Sequence, residues 1–273
     1  MRRAALALAC LAFGCGGDFK DDYHRVDGLR LLAVKAEPPE GREGAKFTLT
    51  AVAVNRDGSP IDVQWIACLV PAFPGQGTLN PLCFEDPPQQ YLFPIGAGLA
   101  ISGTFIVPPK DPRIPQFPDA TGGIYLPIRM DISTPDESLS AAYRFRYADG
   151  GQPPNSNPKL QSIFAGDKEF ADSPLPVRAG DKLALRAGFA AGSIETYKIT
   201  RDDGTTRDAT EQLNIAWFAT AGAFDNGSTG DMGATTLDLG RAPPAPGATV
   251  DLWAVGRDER GGSDVIHRTL KVQ

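Results

Sequence analysis

The sequence predicts an all-β protein, two tandem antiparallel β-sandwich domains behind a short export segment. Three observations carry that prediction. The 273 residues include 30 glycines and 24 prolines, set between short apolar runs as in a strand-and-turn fold. Those runs alternate with period two, one face apolar, as half-buried antiparallel strands do. The same order of strands is also written twice. No stretch keeps a helical period beyond about two turns, so almost no helix is expected.

The elements follow in chain order. Met1-Arg2-Arg3 is a positive start, and Ala4 to Gly14 is an unbroken apolar run. At about 1.5 Å per residue this run is too short for a hydrocarbon core of roughly 30 Å, so it reads as a secretory signal, not a span. It ends in Leu11-Ala12-Phe13-Gly14-Cys15, followed by Gly16-Gly17-Asp18. A cysteine directly after a small residue resembles the signal of bacterial lipoproteins. The resemblance implies removal of residues 1–14, lipidation of Cys15 and a membrane anchor of several acyl chains, far firmer than one chain gives. Ala12 stands where that family commonly has Leu. Cys10 is a competing site that would leave a shorter apolar run, and an ordinary signal peptide is the other reading. Gly16 after the cysteine, in place of Asp, implies the outer membrane. Residues 15–25 are then a lipidated tether, its ten or so flexible residues reaching about 15–20 Å.

The first domain is expected over residues 26–148 and the second over 159–273, joined by a linker at 149–158 that contains Asp149-Gly150-Gly151-Gln152-Pro153-Pro154. In the first copy Gly44 to Ala51 alternates, with Phe47, Leu49 and Ala51 on one face. In the second, Gly180 to Ala187 does the same with Leu183, Leu185 and Ala187. A strand centred on tryptophan follows each: Val63 to Cys68 around Trp65, and Ile215 to Thr220 around Trp217. The second copy carries an insertion between these strands, read as a strand from Glu195 to Thr200 and a polar turn from Arg201 to Thr210. Each copy closes with a hairpin. In the first, Ile124 to Ile132 turns at Pro135-Asp136-Glu137 into Leu139 to Tyr147. In the second, Val250 and Leu252 lead through Asp258-Glu259-Arg260-Gly261-Gly262 into Ile266, Leu270 and Val272.

Two units of about 120 residues, each with about seven short strands and a tryptophan on the third, resemble bacterial immunoglobulin-like modules. The Trp65 strand after Asp57-Gly58-Ser59-Pro60, the run from Trp217 to Phe224 and the turn from Val255 to Gly262 are similar to PKD-type and related repeats of surface lipoproteins. That resemblance covers about residues 27 to 273 and is one of fold alone.

Cys68 and Cys83 lie 15 residues apart and, after export, form an even pair suited to a disulfide. Trp65 and Cys68 are three apart and face opposite sides of their strand, so this bridge is not the inter-sheet one that packs on tryptophan in antibody domains.

Chemistry is sparse. Two histidines, His24 and His267, give little material for a triad or a metal motif, and His267 reads as a surface residue. Gly96-Ala97-Gly98-Leu99-Ala100-Ile101 begins like a phosphate loop but lacks its third glycine and the helix that should follow. Asp202, Asp203, Asp208, Asp225, Asn226 and Asp231 supply hard oxygens of the kind calcium takes. They fit no twelve-residue calcium loop and match ordinary turn chemistry. The net charge of −6 contains no basic run, which excludes a nucleic-acid footprint. Trp253, out of phase with Val250 and Leu252, faces solvent or the other domain. Trp253 and Tyr125 are the candidate ligand-binding aromatics, with Tyr91 behind them. The expectation is a non-catalytic, lipid-anchored outer-membrane protein without cofactor or metal. It would act as a spacer and protein-binding module, its partner another envelope protein. The alternative is a surface carbohydrate-binding accessory protein whose partner is a polysaccharide.

Overall fold

Alternating side chains in strands pair into two sandwiches in the computed structural model, which describes residues 23–70, 80–85, 89–104, 120–121, 123–147, 153–201 and 203–273. The first sandwich holds β1 (Arg30–Glu37), β2 (Glu40–Gly41), β3 (Lys46–Val54), β4 (Asp62–Cys68), β5 (Leu92–Ala97), β6 (Ala100–Thr104), β7 (Ile124–Ser133) and β8 (Ser138–Tyr147). Sheet β1-β3-β6 faces sheet β2-β8-β7-β4-β5. Between them lie the side chains the alternation pointed inward, among them Leu49, Ala51, Trp65, Ile128, Met130, Ile132 and Phe145. Trp65 buries its ring and donates its Nε1–H to the carbonyl of Gly98 at 2.8 Å. Gly98 itself sits at φ +98° in the β5–β6 turn, so the glycine run serves a tight reversal, not a phosphate.

The second sandwich is larger. Its strands are β9 (Leu160–Ala165), β10 (Lys168–Glu169), β11 (Leu175–Val177), β12 (Lys182–Phe189), β13 (Thr196–Thr200), β14 (Thr206–Thr210), β15 (Asn214–Ala219), β16 (Ala223–Phe224), β17 (Ser228–Gly230), β18 (Ala234–Asp238), β19 (Thr249–Arg257) and β20 (Ser263–Val272). Sheet β10-β9-β12-β18-β16 packs on sheet β11-β20-β19-β15-β17 around Trp217, Ile163, Leu185, Leu237, Leu252 and Leu270. The insertion is a hairpin rather than a strand and a turn. Thr206–Thr210, inside the segment expected to be a polar turn, returns along β13 with Thr196 opposite Thr210. The strand is polar on both faces, so its periodicity carried no apolar signal.

The two units do not hang apart on a slack linker. The β19-β15 sheet is covered on both faces: Ile215, Trp217, Ala219, Leu252 and Ala254 enter its own core. Ala216, Phe218, Trp253 and Val255 instead meet Val26, Leu32 and Ala33, backed by Val52 and Val54 of the first sandwich. A bulge makes the fit. Leu31 opposes Ala53 and Ala33 opposes Val52, leaving Leu32 as the extra residue. Leu32 and Ala33 both turn to the neighbouring domain, while Val34 and Ala36 remain in the first core. The molecule is therefore four sheets deep.

Candidate functional site

The junction between the sandwiches is where unusual chemistry gathers. β1 is the edge of its sheet, and an edge exposes a row of unpaired carbonyls. Here the second domain and the linker cap them at every other residue. Arg257 Nη2 donates to the Leu32 carbonyl at 2.5 Å, Ser263 Oγ to Val34 at 2.9 Å, and Asn157 Nδ2 to Ala36 at 2.7 Å. Lys35 pairs with Asp264 at 3.0 Å, and the same carboxylate accepts the backbone N–H of Leu160. Successive carbonyls on one edge of a strand recur at two-residue spacing, so these three donors read one register and fix it.

The segment expected as free tether is part of this junction from Tyr23 onward. Arg25 forms a parallel bridge with Ala219. Val26 N donates to the Ala219 carbonyl at 2.8 Å, and Ala219 N donates to that of His24 at 3.1 Å. Residues 24–26 thus continue the edge that β17 occupies further along β15. His24 donates from Nδ1 to the Trp217 carbonyl at 2.8 Å, which fixes its tautomer because a carbonyl only accepts. Burial, with help from Arg30, holds its pKa below the ordinary histidine value, against the opposing pull of that hydrogen bond. A side chain at Gly227 would collide with the His24 ring. Residues 15–22, including Cys15, lie outside the described residues.

Beyond the edge lies a buried ionic cluster built from three parts of the chain. Glu40 on β2 sits opposite Arg146 on β8; Arg146 donates to Glu40 and to the Thr121 hydroxyl. Arg260, from the β19–β20 turn, donates to the Pro153 carbonyl at 3.1 Å, to Glu211 at 3.3 Å and to Glu195 at 3.4 Å, and lies 3.9 Å from Glu40. Asp258 holds the turn by accepting from the N–H groups of Arg260 and Gly262 at 2.8 and 2.7 Å, and accepts from Asn155 Nδ2 at 3.2 Å. Asn155 N donates to Glu40 at 3.1 Å. The linker from residue 153 is therefore bolted to both sandwiches. Exposure is 4% for Glu40 and Glu211, 7% for Asp258, 1% for Arg146 and 3% for Arg260. Burial, reinforced by the charge of Asp258, pushes the Glu211 carboxyl up to about 7, and burial also raises Asp258. Burial and the Glu259 carboxylate that its hydroxyl bonds raise Tyr197 to about 12.

Trp253 is not a free platform. It is 8% exposed, packed in the inter-domain cluster and stacked on His267 at 5.1 Å; of its two expected directions, the neighbouring domain is the one it takes. His267 is half exposed and bonds Asp251 at 2.7 Å. Tyr125 is half buried beneath Arg144, whose guanidinium lies 4.7 Å from the ring centre. Cys68 and Cys83 are joined and form a small cluster of their own with Val70, Tyr91 and Leu92, apart from Trp65. Of the acidic turn residues, Asp225 accepts from Asn226, Thr235 and Thr236, Asp203 from Thr205, and Asp208 from Lys198, so these carboxylates cap turns and pair strands; Asp202 lies outside the described residues. Sequence reasoning missed Glu40, Arg146, Asn155, Glu211 and Arg260. Their one visible signal was Asp258-Glu259-Arg260-Gly261-Gly262, read as a plain turn.

No family model and no curated protein matches the chain. Among solved structures it is similar to a chimeric titin Z1Z2-Z1Z2 tandem, at 8% identity and TM-score 0.28, covering 90% of this chain and 99% of that one. It is also similar to the mouse nectin-like molecule 4 ectodomain, at 12% identity and TM-score 0.20 over 91% of this chain and 64% of that one. The Yersinia pseudotuberculosis adhesin InvE aligns at 8% identity and TM-score 0.20, over 87% and 58%. Scores this low carry no argument about partner or activity. The fold class rests on the sheets themselves, which define an all-β protein of two tandem antiparallel sandwiches.

Proposed function

We propose that this chain is a non-catalytic, lipid-anchored envelope protein whose two sandwiches act as one rigid spacer and protein-binding module. The observation that carries the reading is the fused junction. Side chains of the second sandwich and of the linker cap the edge of the first, and residues 24–26 join the second sandwich as an added edge. A body tied this firmly to its own N-terminal segment transmits the position of its anchor to its surface. The signal-like residues 1–14 and Cys15 supply the anchor in this reading, and the paired cysteines suit an oxidising compartment.

The partner surface is assigned to the edge strand β5 of the first sandwich, with the disulfide loop before it and the β5–β6 turn after it. Leu82, Phe84, Phe93, Ile95 and Leu99 are exposed in that one stretch of chain, and exposed apolar side chains gathered in one region mark interaction sites. Burial of Trp253 leaves Tyr125, half buried beneath Arg144, as the remaining candidate aromatic for carbohydrate binding. The test is cross-linking in intact cells with a C-terminally tagged chain, beside a Phe93→Ser/Ile95→Ser variant. Capture of one stoichiometric envelope protein, lost in the variant, supports the reading; recovery of polysaccharide alone overturns it. Cys15→Ser tests the anchor separately, by release of the chain from the membrane fraction.

A further inference from the structure

We propose that the ionic cluster at the junction is a proton-operated latch, closed while one of its carboxyl groups keeps a proton and loosened when that proton leaves. The inference stands on the junction itself and does not depend on the anchor or on a partner.

The charges do not balance. Among the described residues the buried carboxyl groups are Glu40 from β2, Glu211 after β14 and Asp258 from the β19–β20 turn; the buried guanidinium groups are Arg146 from β8 and Arg260 from that turn. Glu195, before β13, is partly exposed and adds a further negative charge at 3.4 Å from Arg260. Glu259, on the turn, is bonded by the hydroxyl of Tyr197 from β13. Tyr143 of β8, raised far above the ordinary tyrosine value by burial and by Asp258, stays neutral, as does Asn155 from the linker. Three buried carboxylates against two guanidinium groups leave one negative charge without an equal partner. Burying such a charge costs several kcal/mol, and the usual resolution is to retain a proton.

Geometry selects Glu211. Glu40 faces Arg146 directly and accepts from Asn155. Asp258 accepts three hydrogen bonds. Glu211 has one long contact to Arg260, which it shares with Glu195, and accepts the Glu195 backbone N–H at 3.1 Å. Its folded-state value of about 7 stands above the ordinary 4.5, so its contribution is complete at acidic pH and is lost as pH rises through about 7. Ionised Glu211 competes for Arg260, the side chain that also holds the linker and approaches Glu40.

The experiment is hydrogen exchange of the full mature chain between pH 6 and 8.5, expressed as protection factors so that intrinsic pH dependence cancels. The amides to follow are Asn155, Glu195, Arg260 and Gly262. A single proton held with these two values raises the opening equilibrium by about tenfold over that range. Protection at these four amides should fall by about that factor, and Glu211→Gln should abolish the fall. Flat protection, a fall spread evenly through both cores, or a fall that survives in E211Q overturns the latch. If E211Q does not fold, carboxyl-carbon NMR titration of the unaltered chain decides. A midpoint near 7 supports the latch and one below 5 overturns it.

Discussion

Truncation of Trp253 is the sharpest test of how the two sandwiches are joined. The ring is 8% exposed and surrounded by Phe218, Val255, Leu32 and Ala33 from two domains, with His267 stacked on it. Trp→Ala in a packed interior costs about 3–5 kcal/mol. An inter-domain site can relax by a small shift of two bodies, so the lower end, about 3 kcal/mol, is expected for Trp253→Ala. In a chain of this size each kcal/mol moves Tm by about 2–4 °C, giving a drop of about 6–12 °C. Calorimetry and urea unfolding followed by fluorescence would measure it. The unaltered chain should melt in one transition, and the variant should show separate transitions for the two sandwiches, because the contact that couples them is weakened. A loss under about 1 kcal/mol with one unchanged transition would refute the placement of Trp253 and the coupling argued from it.

Other outcomes follow from the same geometry. Replacing Cys68 and Cys83 together with serine opens a loop of 15 residues and should lower stability by about 3 kcal/mol in urea unfolding; reducing agent should have no further effect on that variant. Arg146→Met strands Glu40 in the interior and should cost about 3–5 kcal/mol, with most of the loss recovered when Glu40→Gln is added. His24 works in the opposite direction to Glu211. Its folded value is depressed by burial, so the unfolded chain takes up the proton first. The contribution is complete above about pH 6.5 and is lost as pH falls from there toward the depressed value. Proteolysis near residues 23–26 should quicken as pH drops below about 6.5, and His24→Leu should flatten that dependence.

Period-two alternation made the strands legible, including both closing hairpins and both core tryptophans, because one face of each strand meets a core and the other meets water. It failed where both faces are covered. Leu31-Leu32-Ala33-Val34 and Ile215-Ala216-Trp217-Phe218-Ala219 are continuous apolar runs, which is how a strand reads when it is buried on two sides. Those runs were the available sign that two sandwiches pack face to face, and a bulge at Leu32 hid the phase further. The ionic cluster was illegible for a different reason. Glu40, Arg146, Asn155, Glu211 and Arg260 are scattered over more than two hundred residues of sequence, each in a setting typical of a turn or strand end. The last residues of the segment expected as tether, His24 and Arg25, are held along Ala219 through the backbone, to which side-chain pattern is blind. Residues 1–15, which resemble a lipoprotein signal, lie entirely before the described residues.

The central claim is that both sandwiches and residues 23–26 form one body. Residual dipolar couplings on the whole chain test it most directly. One alignment tensor should fit the amides of both sandwiches and of His24 and Val26 together. Two tensors of different magnitude, one for each sandwich, would contradict the fused junction and the spacer built on it.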